Sequence, residues 1–143
     1  MKTPLITLGI PIYNAANLIE RTLLSAFNQT YPNIEYLLID DKGNSMDIVR
    51  RVVAEHPRNK DIYIIDQKYN QGTARNAIVS HANGEYLFTM DCDDVIVPNC
   101  IEVLYKKMVE HPVDFVAASF VRRDLQGNIY PGGCQYVDTL IEG

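Results

Sequence analysis

Residues 86–99, YLFTMDCDDVIVPN, run an apolar segment straight into the carboxylates of Asp91, Asp93 and Asp94, before Val95, Ile96, Val97 and Pro98 restore ordinary core chemistry. A carboxylate buried without a partner costs on the order of several kcal/mol, so such a cluster is solvated, caps a helix or holds a cation. The apolar part, EYLFTM, has the length of a strand. What matters is therefore what surrounds it and which end of the strand the acids occupy.

Working outward, apolar runs of strand length alternate with helical patterns. LITLGI reads as a first strand, after which Asn14 is placed to cap a helix in AANLIERTLLSAFN, where Leu18, Ile19, Thr22, Leu23, Ala26 and Phe27 recur at helical spacing. YPNIEYLLIDD turns at Pro32 and supplies a second strand ending in Asp40 and Asp41. SMDIVRRVVAEH follows as a helix stopped by Pro57. DIYIID is a third strand, GTARNAIVSHA a helix, EYLFTM the fourth strand, NCIEVLYKKMVEH a helix ended by Pro112, and VDFVAASFV a fifth strand. The βαβαβαβαβ order predicts an α/β fold, a mainly parallel sheet with helices on both faces. The tail predicts a hairpin turn at Gln126 to Asn128 and a loop at Pro131 to Gly133.

With 143 residues, 47% of them hydrophobic and 22% charged, the chain fits a single domain with a real core. A formal net charge of -5 argues against a general grip on nucleic acid, which needs a basic surface. Cys92, Cys100 and Cys134 are odd in number and lack paired metal-site spacing, so reduced thiols are expected rather than a disulfide scaffold. No stretch approaches the ~20 consecutive apolar residues of a membrane span, and MKTPLITLGIPIYN is broken by Pro11 and Asn14 before a signal-like core develops. A cytoplasmic protein is the expectation, with attachment to the inner face of a membrane left to a longer parent chain.

In open α/β sheets ligands collect beyond the carboxyl ends of the strands. That rule selects Pro11, Tyr13 and Asn14 after the first strand and Asp40 and Asp41 after the second. It selects Asn70, Gln71, Gly72 and Arg75 after the third, and Asp91, Asp93 and Asp94 after the fourth. An aromatic ring, clustered carboxylates and an arginine suit a nucleoside diphosphate with its metal, the carboxylates holding the cation that neutralises phosphate charge.

These residues resemble the motifs of the family 2 glycosyltransferases with the GT-A fold. PIYN (11–14) looks like the opening nucleotide-contact motif and LIDD (38–41) like the acidic pair of the second strand. NQGTARNAIVSHANGEYLFTMDCDD resembles the stretch from the glycine and arginine loop to the DXD metal site. Each motif alone is weak, but their order along the chain is specific. The resemblance implies a Rossmann-like fold that binds a nucleotide-diphospho-sugar, above all a UDP-sugar. It also implies a manganese or magnesium ion, and inverting transfer of the sugar to a glycan or lipid-linked acceptor in cell envelope polysaccharide synthesis. It further implies that Asp41 accepts a hydrogen bond from the base, that Pro11 and Tyr13 line the base pocket, and that Arg75 lies near the pyrophosphate or base. Asp91 would contact the ribose or a metal-bound water and share the metal site, Asp93 would bind the metal directly, and Asp94 would support it or cap a helix.

KGNSMD replaces the family's usual turn after the acidic pair, with Lys42 entering early and Asp47 displaced. The general base of inverting members belongs to a later segment, so residues 1–143 are expected to be the donor-binding portion of a larger enzyme, with that base beyond Gly143. Asp114, Asp124 and Asp138 carry no motif that would place them at an acceptor face.

Each assignment has a plainer competitor. Asp40 and Asp41 also suit a helix cap, Asp91 and Asp93 a solvated loop, and Tyr13 simple packing at a strand end. Arg75 suits a surface ion pair and Gly72 a backbone hinge, while Cys92 reads as a small packing residue. His56, His81 and His111 fall at helix ends, where a cation suits the dipole. A second functional class, a phosphoacceptor domain of receiver type, shares the α/β sheet and an acidic metal pocket. Its acids follow the first and third strands, whereas here they follow the second and fourth.

Overall fold

The computed structural model describes residues 3–66 and 71–131. Its elements are β1 (Ile6–Ile12), α1 (Ile19–Phe27), β2 (Ile34–Asp40), α2 (Met46–Glu55), β3 (Ile62–Asp66), α3 (Gln71–His81), β4 (Tyr86–Thr89), α4 (Cys100–Glu110), β5 (Val121–Arg123) and β6 (Ile129–Pro131). β1 to β4 form one parallel sheet in the order β3-β2-β1-β4. The chain divides into two compact units, Met1–Glu102 and Val103–Gly143.

In the first unit every residue of β1 is buried, as are the first six of β2. Near-continuous apolar runs of this kind mark strands covered on both faces, and helices do the covering. On one face Phe27 of α1 stands edge-on to Tyr36, with ring centroids 5.1 Å apart, and the Tyr36 hydroxyl donates to the Ala26 carbonyl at 2.8 Å. On the other face Leu37 and Ile39 pack with Ala74, Ala77 and Ile78 of α3. Each such side chain removed from water contributes roughly 1.5–3 kcal/mol. Gly9 permits the close seat of α3, because a Cβ there would lie 2.4 Å from Ile78 Cγ2.

The amino end of the sheet is tied by a buried carboxylate. Glu35 Oε1 accepts from Thr7 Oγ1 at 2.6 Å and from the Asn83 N–H at 2.7 Å, and Thr7 Oγ1 accepts from the Gly84 N–H at 2.9 Å. Burial is the largest single influence on Glu35 and pushes its carboxyl up, but the bonds donated by Thr7 and Asn83 together outweigh it and hold the group below its ordinary range.

Some expected boundaries move. β1 runs on through Pro11 to Ile12, so Pro11 is a buried strand residue rather than the start of a loop. The odd residues of β1 face β4, as the Glu85 N–H to Leu5 and Met90 N–H to Gly9 bonds show, and β4 has ended at Thr89, level with Gly9. A proline at position 11 thus forfeits no ladder bond on that side. Asn14 does not cap α1. It adopts φ 47°, and the turn into the helix is closed by Leu18 and Ile19 N–H groups donating to the Ala15 carbonyl.

In the second unit, residues 114–120 are not a strand, contrary to the expectation for VDFVAASFV. Strand propensity is realised only where a partner ladder and a covering face exist, and here Phe115 and Phe120 are exposed. Strand β5 begins at Val121 instead and pairs antiparallel with β6, so that Arg123 faces Ile129 across the turn expected at residues 126–128. Asp124 builds that turn. Its Oδ1 accepts from the Gln126 and Asn128 N–H groups at 3.0 and 2.8 Å, its Oδ2 accepts from Asn128 Nδ2 at 2.9 Å, and Gly127 takes φ 89°. Asn70, Cys134, Asp138 and the loop at 132–133 lie outside the described residues. No helix among those described is long and apolar enough to cross a membrane.

Candidate functional site

The sheet order reverses direction between β1 and β4, and ligands of open α/β sheets bind at such a switch point, outside the carboxyl ends of the strands. The chain leaving β1 there carries Tyr13, half exposed, and then Asn14. Beyond β2, the Asp41 N–H donates to the Ile12 carbonyl at 3.0 Å, which prolongs the ladder by one residue and buries Asp41 against the end of β1. Asp40 turns back locally, its Oδ1 accepting from the Lys42 N–H at 2.9 Å, and the residue at the N-cap of α2 is Ser45.

Two loops then lock together. Asn14 Oδ1 accepts from the Asn44 N–H at 3.2 Å, and Ser45 Oγ accepts from the Ala15 N–H at 2.7 Å. The backbone is strained where they meet. Lys42 adopts φ 66°, a left-handed conformation that costs a side-chain-bearing residue roughly 1–3 kcal/mol and that clusters at functional sites. Gly43 follows at φ 113°, and a Cβ there would stand 2.3 Å from Asn14 Oδ1. Asp47 is exposed in the first turn of α2, where a negative charge suits the helix dipole.

The acidic turn lies beside this lock. The Met90 N–H donates to the Gly9 carbonyl, the Asp94 N–H closes a turn onto the Asp91 carbonyl at 3.2 Å, and Cys92 Sγ reaches the Tyr13 carbonyl at 3.8 Å. One carboxylate oxygen from each of Asp91, Asp93 and Asp94 lies within 4.8 Å of the others, and all three side chains are exposed. Two oxygens bound to one cation at ~2.1–2.4 Å stand at most roughly 4–5 Å apart, so these hard donors are close enough to share a divalent cation. Burial, and after it the charges of Asp93 and Asp91, push the Asp94 carboxyl up, a repulsion that a cation would relieve. Asp94 caps no helix, since α4 starts six residues later and Gln29 Oε1 accepts from its Ile101 N–H at 2.9 Å.

Arg75 of α3 reaches across to Asp91, Nη2 to Oδ1 at 2.8 Å, with both side chains about half exposed. Such a pair contributes only ~0–1 kcal/mol, so its consequence is orientation rather than stability. Burial pushes the Cys92 thiol up, which disfavours its thiolate form. Arg75, Asp91, Asp93 and Asp94 thus meet at one turn, which Cys92 ties to the Tyr13 carbonyl, while Asp41 lies beyond the neighbouring β2, bonded to Ile12. Pro11 stands behind it within β1, and the side chains of residues 70–72 lie outside the description. The sequence reading passed over Asp66, which the register sets opposite Asp40 at the end of β3. It also passed over Gln29 and Ser45. The strand-end rule would have found Asp66, whereas nothing local marks the other two.

The order β3-β2-β1-β4 differs from the 2-1-3-4-5 order of receiver-type domains, which removes that alternative. The family model for glycosyl transferase family 2 matches residues 7–137. An uncharacterised glycosyltransferase of Haemophilus influenzae is 31% identical over 130 residues, which cover 90% of this chain and 52% of that protein. Among solved structures, S. aureus TarS in complex with UDP is 26% identical with a TM-score of 0.65, covering 76% of this chain and 33% of that one. The mannosyltransferase PcManGT from Pyrobaculum calidifontis, in complex with GDP-Man and Mn2+, is 29% identical with a TM-score of 0.60, covering 66% and 29%. The chain therefore spans about half the length of that curated relative and about a third of each solved chain. With the family match running from Thr7 in β1 through the Asp41 loop and the acidic turn, the chain belongs to glycosyl transferase family 2.

Proposed function

We propose that residues 1–143 form the donor-binding part of an inverting glycosyltransferase that takes a nucleoside-diphosphate sugar, specifically a UDP-sugar, and a divalent cation. The observation that carries this reading is the convergence of three carboxylates within 4.8 Å at the switch point, on a turn tied to the Tyr13 carbonyl and one strand over from Asp41. Asp93 and Asp91 would hold the cation, which when bound supplies positive charge to stabilise the departing diphosphate. Asp41, buried just beyond β2 against the end of β1, would accept a hydrogen bond from the imide nitrogen of the base, with Tyr13 beside the ring and Pro11 in β1 forming the floor beneath it. Arg75 orients Asp91 and adds charge on the pyrophosphate side. The UDP and GDP-Man complexes of the structural neighbours support a nucleotide-sugar donor, and the Mn2+ of one supports the metal. The acceptor in this reading is a hydroxyl of a glycan or lipid-linked saccharide, and the reaction is cytoplasmic. Asp124 is not assigned as the general base, because its oxygens are spent on its own hairpin turn.

Calorimetry with UDP tests the reading. UDP should bind in manganese and lose most of its affinity in EDTA, and Asp93→Asn should lower the metal-dependent part by at least the roughly 10- to 100-fold that follows loss of a ligand's supporting partner. Asp41→Ala should weaken UDP by ~1.5–3 kcal/mol while sparing pyrophosphate with manganese, which has no base to lose. Equal affinity in manganese and EDTA would reject the metal site, and matched losses for UDP and pyrophosphate would reject the role of Asp41.

A further inference from the structure

The segment that follows the acidic turn, residues 95–99, has no regular secondary structure, and the side chains of Val95 and Val97 are 52% and 64% exposed. Apolar burial therefore does little to hold it. Hydrogen bonds to the far end of α1 do so instead. The Ile96 N–H donates to Ser25 Oγ at 3.3 Å, the Val97 carbonyl accepts from Gln29 Nε2 at 2.7 Å, and the Pro98 carbonyl accepts from the Thr30 N–H at 2.8 Å. Gln29 is the hub. It is buried, its Nε2 also donates to the Ser25 carbonyl at 3.0 Å, and its Oε1 accepts from the Ile101 N–H at 2.9 Å. At its other end the turn hangs from β1 by the Met90 N–H to Gly9 bond. The carboxylates of Asp91, Asp93 and Asp94 are thus carried on a short bridge between two anchors, one on β1 and one on α1.

We infer that Gln29, with Ser25, is a positioning residue for the metal-binding turn, fixing the backbone of residues 96–101 so that the carboxylates of Asp91, Asp93 and Asp94 converge. It touches neither metal nor nucleotide. The inference rests on the donor site proposed above. Ligand sets that lose their supporting shell lose metal affinity, typically 10- to 100-fold. The alternative is that Gln29 serves only the fold, and it is separable. A purely structural role would lower the melting temperature and weaken every ligand alike, whereas a positioning role falls on the metal-dependent part of nucleotide binding.

The experiment compares this chain with its Gln29→Met and Ser25→Ala variants, titrating UDP in manganese and in EDTA and recording thermal melts by circular dichroism. We expect Gln29→Met to weaken UDP in manganese about tenfold and Ser25→Ala about threefold, with UDP in EDTA unchanged for both. Folded variants that keep full affinity in manganese, or that lose equally with and without it, overturn the inference alone. Absence of manganese-dependent UDP binding in the unmutated chain overturns the proposed donor site and this inference with it. If Gln29→Met does not fold, Ser25→Ala decides by the same comparison, because on a partly exposed helix position it deletes only a hydroxyl that accepts from Ile96 and donates to the Thr22 carbonyl of its own helix.

Discussion

Replacing Glu35 tests the tie at the amino end of the sheet and does so with a pH signature. The side chain is 7% exposed, and its carboxylate receives the Thr7 hydroxyl at 2.6 Å, the Asn83 N–H at 2.7 Å and Asn83 Nδ2 at 3.3 Å. A hydrogen bond to a charged group contributes ~1.5–3 kcal/mol net, and each buried donor left unsatisfied costs ~1–3 kcal/mol. Desolvation of the carboxylate offsets part of this. Glu35→Ala should therefore destabilise the chain by about 3 kcal/mol at neutral pH, and Glu35→Gln, which keeps one acceptor oxygen, by about 1–2 kcal/mol. The folded carboxyl is held below its ordinary value of 4.5, so its contribution is fully present above that value and is lost as pH falls through the lower folded value. Urea unfolding at pH 7 and near pH 3 reads both effects. With m of roughly 1–3 kcal/mol/M, the Ala variant should unfold about 1–3 M earlier at pH 7, and the gap to the unmutated chain should narrow in acid. Other acids titrate in both proteins and cancel in the difference. A gap that stays constant with pH, or widens in acid, would refute the reasoning.

Three further outcomes follow from close contacts. Gly43→Ala meets both a positive φ and Asn14 Oδ1 at 2.3 Å, so it should cost about 1–3 kcal/mol in thermal unfolding and weaken nucleotide binding by displacing the loop beside Asp41. Gly9→Ala should cost a similar ~1–3 kcal/mol by overpacking against Ile78, and since the three atoms nearest the new Cβ all belong to that side chain, Ile78→Ala in the same chain should recover part of the loss in a double-mutant cycle. Arg75→Ala should leave stability within about 0.5 kcal/mol, because the pair with Asp91 is half exposed, yet lower UDP affinity in manganese severalfold when measured by calorimetry.

The sheet was legible because β1 and β2 are buried on both faces, and double burial leaves continuous apolar runs that need no partner to recognise. β3 and β4 were found from the same length and composition. What failed had a common cause. Pro11 ended the strand on paper because a proline cannot donate to a ladder, but the ladder on its side had already stopped. Asn14 read as a cap because capping is its commonest local use, while its oxygen is taken by Asn44 from another loop. VDFVAASFV read as a strand because its composition suits one, yet a strand is a relation between two segments.

The site divides along the same line. The position of its candidate charged residues was legible because strand ends announce themselves, and the acids of separate segments then fall along one edge of the sheet. The parts that hold those residues in place were not. Gln29 reads as the frayed polar end of an amphipathic helix, yet it is buried, and its partners Val97 and Ile101 are 68 and 72 residues away. Ser45 looks like an ordinary helix start, yet its hydroxyl is occupied by the Ala15 N–H across the mouth of the site. This separation has a physical reason. Like charges gathered on exposed loops repel one another and bury nothing, so the loops bearing them cannot order themselves. Their geometry has to be set from outside, by neutral polar groups anchored in elements that fold for their own apolar reasons. Chemistry at strand ends leaves a local pattern in the sequence, whereas its support comes from wherever the fold brings a spare donor or acceptor.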